Sequence, residues 1–199
     1  MPKQHSAAAN EKIRHILNCA LTLLRDKGDH GLTMRQVAQT AGMSLSNLQY
    51  YFKTKNDLLK GMVDYYFQKC EQQFSSAMAV TKKDDLRQWI HKLITISLVH
   101  EDSLSEICRI FREFWAIATR NDAINKHLDA YYHRYAEGLT REFESLPMAP
   151  EAIPKAVSIL IPYFEGYSIT SASVPLDPDQ VADLLTDIIT TICDDGLRR

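Results

Sequence analysis

Long apolar runs, paired cysteines and strand-like alternation are all missing from this chain of 199 residues. No stretch approaches the roughly 20 apolar residues of a membrane span. The polar start Met1-Pro2-Lys3-Gln4-His5 lacks the apolar core of a secretory signal, so the expected location is the cytoplasm. Cys19, Cys70, Cys108 and Cys193 lie far apart, with no Cys-x-x-Cys pair and no metal-ligand spacing. That excludes a disulfide framework or a zinc site and leaves reduced thiols expected in the core. His127 and His133 have no partner at useful spacing, so no metal is assigned. Phosphate loops, nucleophile elbows and dinucleotide fingerprints are equally missing. No catalytic residue and no cofactor is therefore assigned, and an enzyme is not expected.

What is present is an average globular composition, 45% hydrophobic and 24% charged, in which the charge is unevenly placed. The formal net charge is -2, yet residues 1–60 hold nine Lys and Arg against four Asp and Glu, while the rest holds fourteen against twenty-one. A basic head on an acidic body suits a protein of which one end meets phosphates.

Helical periodicity runs the whole length. Ile13, Ile16, Leu17, Ala20, Leu21 and Leu24 recur at three-and-four spacing, and Gly28 offers a left-handed stop. Thr33 with Gln36 reads as a capping box, with Leu32 and Val37 as its staple. Ser44 repeats the device between Met43 and Leu48, and Thr54 with Asp57 opens a long helix. Further on, the stripes are Leu86, Trp89, Ile90, Leu93 and Ile94; then Leu104, Ile107, Cys108, Phe111, Trp115 and Ala118; then Ile124, Leu128, Tyr131, Tyr135 and Leu139. Pro154 fits a first helical turn and Pro162 predicts a kink. The expected fold is all-α, about nine helices, with a helix-turn-helix domain over 1–54 and a helical ligand-binding and dimerisation domain over 55–199.

The stretch Leu32 to Leu59, LTMRQVAQTAGMSLSNLQYYFKTKNDLL, carries the function. Two short capped helices meet across Ala41-Gly42-Met43, with Val37, Ala38 and Leu48 between them, and the second can enter a major groove about 12 Å wide. With its capped threonine, Ala-Gly turn and Tyr50-Tyr51-Phe52-Lys53-Thr54-Lys55 ending, this segment resembles the DNA-binding head of the TetR family. The resemblance covers roughly the first sixty residues. It implies that Thr33, Tyr50, Tyr51 and Lys55 contact phosphate, that Ser44, Leu45, Ser46, Asn47 and Gln49 face the groove, and that Phe52 is core. Arg35 is a further candidate. The chain departs from the family pattern at Ser46, often glycine, and at Gln49, usually tyrosine; an amide there can read adenine.

Past residue 60 the resemblance thins, though Phe111 to Asp122 is similar to the choline-responsive BetI branch. Trp89, Phe111, Trp115, Tyr131, Tyr135 and Tyr163 lie on stripes expected to face inward, where aromatics can fill core, cage a cation or stack on a flat ligand. Glu165 and His100 are candidate polar partners. The last two helices carry Ile159, Leu184, Leu185, Ile188 and Ile192, faces apolar enough to form a homodimer interface. The expected function is a regulator, a repressor released from a palindromic double-stranded DNA operator by a small organic ligand. The alternative is a helical protein-interaction module without DNA binding.

Overall fold

The computed structural model describes residues 7–79, 81, 85–98 and 104–197. Among them are nine α-helices and no strand: α1 (Ala7–Gly31), α2 (Met34–Thr40), α3 (Leu45–Tyr51), α4 (Lys55–Met78), α5 (Leu86–Leu98), α6 (Leu104–Ala118), α7 (Asp122–Glu144), α8 (Ile153–Thr170) and α9 (Pro178–Leu197). His100 lies outside the described residues.

The helix starts are fixed by side-chain caps. The Thr33 hydroxyl accepts the Gln36 amide at 3.2 Å, and Gln36 takes the Thr33 hydroxyl proton at 3.0 Å rather than reaching back to a main-chain amide. At α4 the box is fully reciprocal: Thr54 N–H donates to Asp57 and Asp57 N–H to the Thr54 hydroxyl, both at 3.1 Å. Asn121 caps α7 through the amides of Ala123 and Ile124, and Asp177 with Gln180 forms the corresponding box before α9. Pro154 falls in the first turn of α8, and that helix continues through Pro162, whose exposed side lets water replace the missing N–H.

The first continuous stretch of α1 ends at Gly28, as expected: that residue is left-handed (φ 63°, ψ -172°), and a short helical turn follows across the kink as far as Gly31. The Asp29 amide just beyond the bend is taken by the carboxylate of Glu113 at 3.2 Å.

The chain divides into two compact units along its packing, the first formed by residues 1–70 with 109–129 and the second by 71–108 with 130–199. Helices α4, α6 and α7 thus give part of their length to each, and residue 54 falls within the first unit. In that unit Ile16, Leu17, Ala20 and Leu24 of α1, Val37, Ala38 and Leu48 of the short helices and Leu58, Leu59 and Met62 of α4 are buried. Phe114 meets Tyr66 and Phe111 meets Phe67, each ring edge to face.

Of the α6 row expected to face inward, Ala118 is buried, but Phe111 is half-buried and Trp115 is 39% exposed, and Ile110, Phe114 and Ile117 are inside instead; the side chains of Leu104, Ile107 and Cys108 lie outside the described residues. At about 3.6 residues per turn the Phe111–Trp115 row stands roughly a quarter-turn aside. Shared apolar identity on two neighbouring rows made the periodicity ambiguous.

The second unit is built around α8, whose Ala156, Val157, Leu160, Phe164 and Tyr167 join one core with Trp89, Phe143, Leu185 and Ile189. Helices α5 and α9 run antiparallel, as shown by Arg87–Asp187 (2.6 Å) and His91–Asp183 (3.2 Å), pairs whose order along the two helices is reversed. The thiols correct another expectation. Cys193 is core, but Cys19 and Cys70 are only half-buried, and none of the three is in a disulfide.

Candidate nucleic-acid interface and sensing residues

Helix α3 separates what it hides from what it shows. Leu48 is fully buried, whereas Ser46, Asn47, Gln49 and Tyr50 are exposed, Tyr50 at 77%. Leu45 and Tyr51 are half-buried, and the Tyr51 ring stands edge-on to Tyr50 at 5.1 Å. Ser44 has a structural duty: its hydroxyl accepts the Asn47 amide at 3.2 Å and lies 3.1 Å from the Ser46 hydroxyl.

The angle between α2 and α3 is set at Gly42, which is left-handed (φ 65°) and lets the Met43 amide fold back onto the Ala38 carbonyl at 2.9 Å. Helix α1 braces the same turn, with a His15 ring nitrogen 3.3 Å from the Ala41 carbonyl and the Cys19 thiol directed at the Thr40 carbonyl. Phe52 is buried, and the space beneath its ring is reserved by Gly61, where a Cβ would stand 2.8 Å from the ring and 3.4 Å from Leu17.

Thr33 and Arg35, at the start of α2, are exposed. Lys55 is half-buried. Its ammonium donates to the Asp29 carboxylate at 2.7 Å and to the Asp29 carbonyl at 3.2 Å. This pair escapes sequence inspection because its members are 26 residues apart, and Glu113, which fixes the backbone beside Asp29, is 84 residues from it. The same holds for Asn121 donating to Asn56 at 2.9 Å and for His127 beside Asp64 at 2.8 Å. The first half of α4 is thus tied by side-chain contacts to α1, to the turn before α7 and to α7 itself.

Of the six aromatic sensing candidates, Phe111 and Trp115 belong to the first unit and Trp89, Tyr131, Tyr135 and Tyr163 to the second. Trp89 fills core edge-on to Phe143 at 5.7 Å. Tyr131 stacks on Tyr135 with centroids 6.0 Å apart, and Tyr163 on Tyr167 at 5.9 Å. In the same unit, burial pushes the Glu165 carboxyl up to about 7, with the Tyr132 hydroxyl facing it and pulling the other way.

The interface candidates also separate by exposure. Leu184 (48%) and Ile188 (40%) stand out from α9, Ile159 and Ile192 are partly buried against the core, and Leu185 is 3% exposed within a single chain. Leu185 is therefore consumed by the core of its own protomer.

Residues 16–62 match the family model described as bacterial regulatory proteins, tetR family. An HTH-type transcriptional regulator from the dhlA 5′ region of Xanthobacter autotrophicus is 43% identical over 180 residues, covering 90% of this chain and 89% of that protein. The HTH-type transcriptional regulator BetI of Rhizobium meliloti is 25% identical over 152 residues, covering 76% and 73%. Among solved structures, a transcriptional regulator from Saccharomonospora viridis in complex with choline superposes with a TM-score of 0.69 at 18% identity, covering 91% of this chain and 96% of that one.

Proposed function

Because the chain belongs to the TetR family of transcriptional regulators, we propose that it is a homodimeric repressor released from a palindromic operator by a small organic ligand, apolar or cationic. The observation that carries the reading is α3, a short capped helix that buries Leu48 and offers Ser46, Asn47, Gln49 and Tyr50 outward. A two-fold dimer would present two such helices to half-sites about 34 to 36 Å apart. In this reading Gln49, with Asn47, reads base edges, and Thr33, Arg35, Tyr50, Tyr51 and Lys55 supply the sequence-independent grip on phosphates.

In this reading the ligand binds the second unit, which holds Tyr131, Tyr135, Tyr163 and the half-buried Glu165 carboxyl. Aromatic faces and a carboxylate are the chemistry that recognises a quaternary or protonated amine. The choline found in the Saccharomonospora viridis regulator supports screening such cations first. A ligand shifts the repressor only through different affinities for its DNA-bound and released states. The cytoplasm is the corresponding place of action; among the described residues no helix is long and apolar enough to cross a membrane.

Selection of genomic fragments by the purified protein, followed by gel shift, tests the reading. The expected result is a palindromic site bound well above random duplex. Gln49→Ala should relax preference at one base position, whereas Lys55→Ala should weaken binding to all sequences and flatten its salt dependence. Equal affinity for every duplex would instead favour a helical interaction module.

A further inference from the structure

The Lys55 ammonium is already occupied. An ammonium has three N–H donors and no acceptor, and Asp29 takes donors with both its carboxylate (2.7 Å) and its carbonyl (3.2 Å). The carbonyl and the carboxylate of one residue converge on Lys55 where the chain bends, at left-handed Gly28. The bend is held from its other side by Glu113, whose carboxylate accepts the Asp29 amide at 3.2 Å and would lie 3.3 Å from any Cβ placed on Gly28. All three residues lie within the first compact unit.

We propose that Asp29 is an affinity-setting residue of the DNA-binding site, an internal anion that competes with the operator phosphate for Lys55. The inference rests on the DNA reading above, because it takes Lys55 as a phosphate ligand. Binding then exchanges one oxyanion for another at the same ammonium, and the head carries a built-in tax on contact with every sequence. The exchange is feasible because the pair is not sealed, the side chains of Lys55 and Asp29 being 38% and 30% exposed. Pairs of this exposure are weak, so the tax is about two- to five-fold in affinity and not orders of magnitude. Glu113 acts through Asp29 as a positioning residue, since its bond is to the main chain that aims the carboxylate.

A double-mutant cycle on the full chain tests the inference, with fluorescence anisotropy of a mixed-sequence DNA duplex as readout and thermal melting confirming that each variant folds. Asp29→Asn should tighten binding by about two- to five-fold. Asp29→Ala serves as the second variant should the asparagine fail to fold. Lys55→Ala should weaken binding, and in that background removing the Asp29 charge should change affinity little. Equal gains in both backgrounds would mean only that a negative charge had been taken from the DNA face, and would overturn the competition. Weaker binding by Asp29→Asn would overturn it too, by showing that Asp29 steadies Lys55 for phosphate. A Lys55→Ala protein that binds as the parent does would remove the phosphate role itself, a separate failure from that of the competition.

Discussion

Glu165 shows how a single side chain can link stability, pH and ligand. Its folded value of about 7 lies above the ordinary 4.5, so folding favours the neutral acid. The stabilisation from the proton is fully present below pH 4.5 and is lost as pH rises through about 7. Glu165→Gln should therefore raise stability at pH 8 by about 1–2 kcal/mol and flatten the pH dependence of melting between those limits. A variant as sensitive to pH as the parent would place the titration elsewhere. A bound organic cation should pull the same carboxyl down, so its affinity should fall as the medium is acidified below pH 7. At this scale the sequence was only partly legible. Exposure of Gln49 and Tyr50 followed from the caps and from Leu48, and Gly28 announced the bend, but the engagement of Lys55 by Asp29 and the hold of Glu113 on the Asp29 amide join residues far apart along the chain.

Helices were legible where capping chemistry is local. Thr33, Ser44 and Thr54 announce three starts within about two dozen residues because the hydroxyl and the amide it accepts are only three positions apart. The orientation of α6 was not, because Phe111 and Trp115 are as apolar as Ile110 and Phe114 and only packing selects the row. Gly61 belongs to the same illegible class. It sits in the interior of α4, where glycine is unfavourable by roughly 1 kcal/mol against alanine, and it is tolerated because the Phe52 ring fills the space of its missing side chain. Gly61→Val should destabilise the first unit by about 1–3 kcal/mol through overpacking. Phe52→Leu should recover part of that loss in the double variant. Additive losses in thermal melts would show that the two positions do not share this space.

For the whole molecule, charge and apolar surface divide the labour. Residues 1–60 carry an excess of five positive charges, nine Lys and Arg against four Asp and Glu, and the rest of the chain compensates. Two copies joined through the acidic body would double the basic surface offered to a duplex while keeping each head free. Leu184 and Ile188 are exposed large hydrophobic side chains of α9, available for such a union. Ile188→Glu should leave the melting temperature of the single chain nearly unchanged but give monomers in sedimentation, with operator affinity reduced by about tenfold or more, each tenfold step being roughly 1.4 kcal/mol. Leu185→Glu, by contrast, should unfold the second unit, since it would bury a charge in the core. A monomeric parent protein would end the dimer reading.

The boundary between the compact units also governs how this regulator could be rewired. Splicing its first 54 residues onto a foreign sensor would cut Phe52 from Gly61 and Asp29 from Glu113, removing both the packing against the Phe52 ring and the carboxylate that holds the bend. A working graft would instead need the chain through residue 70 together with residues 109–129, transplanted as a discontinuous cassette. The reading head is portable only in company with helical segments from well beyond it.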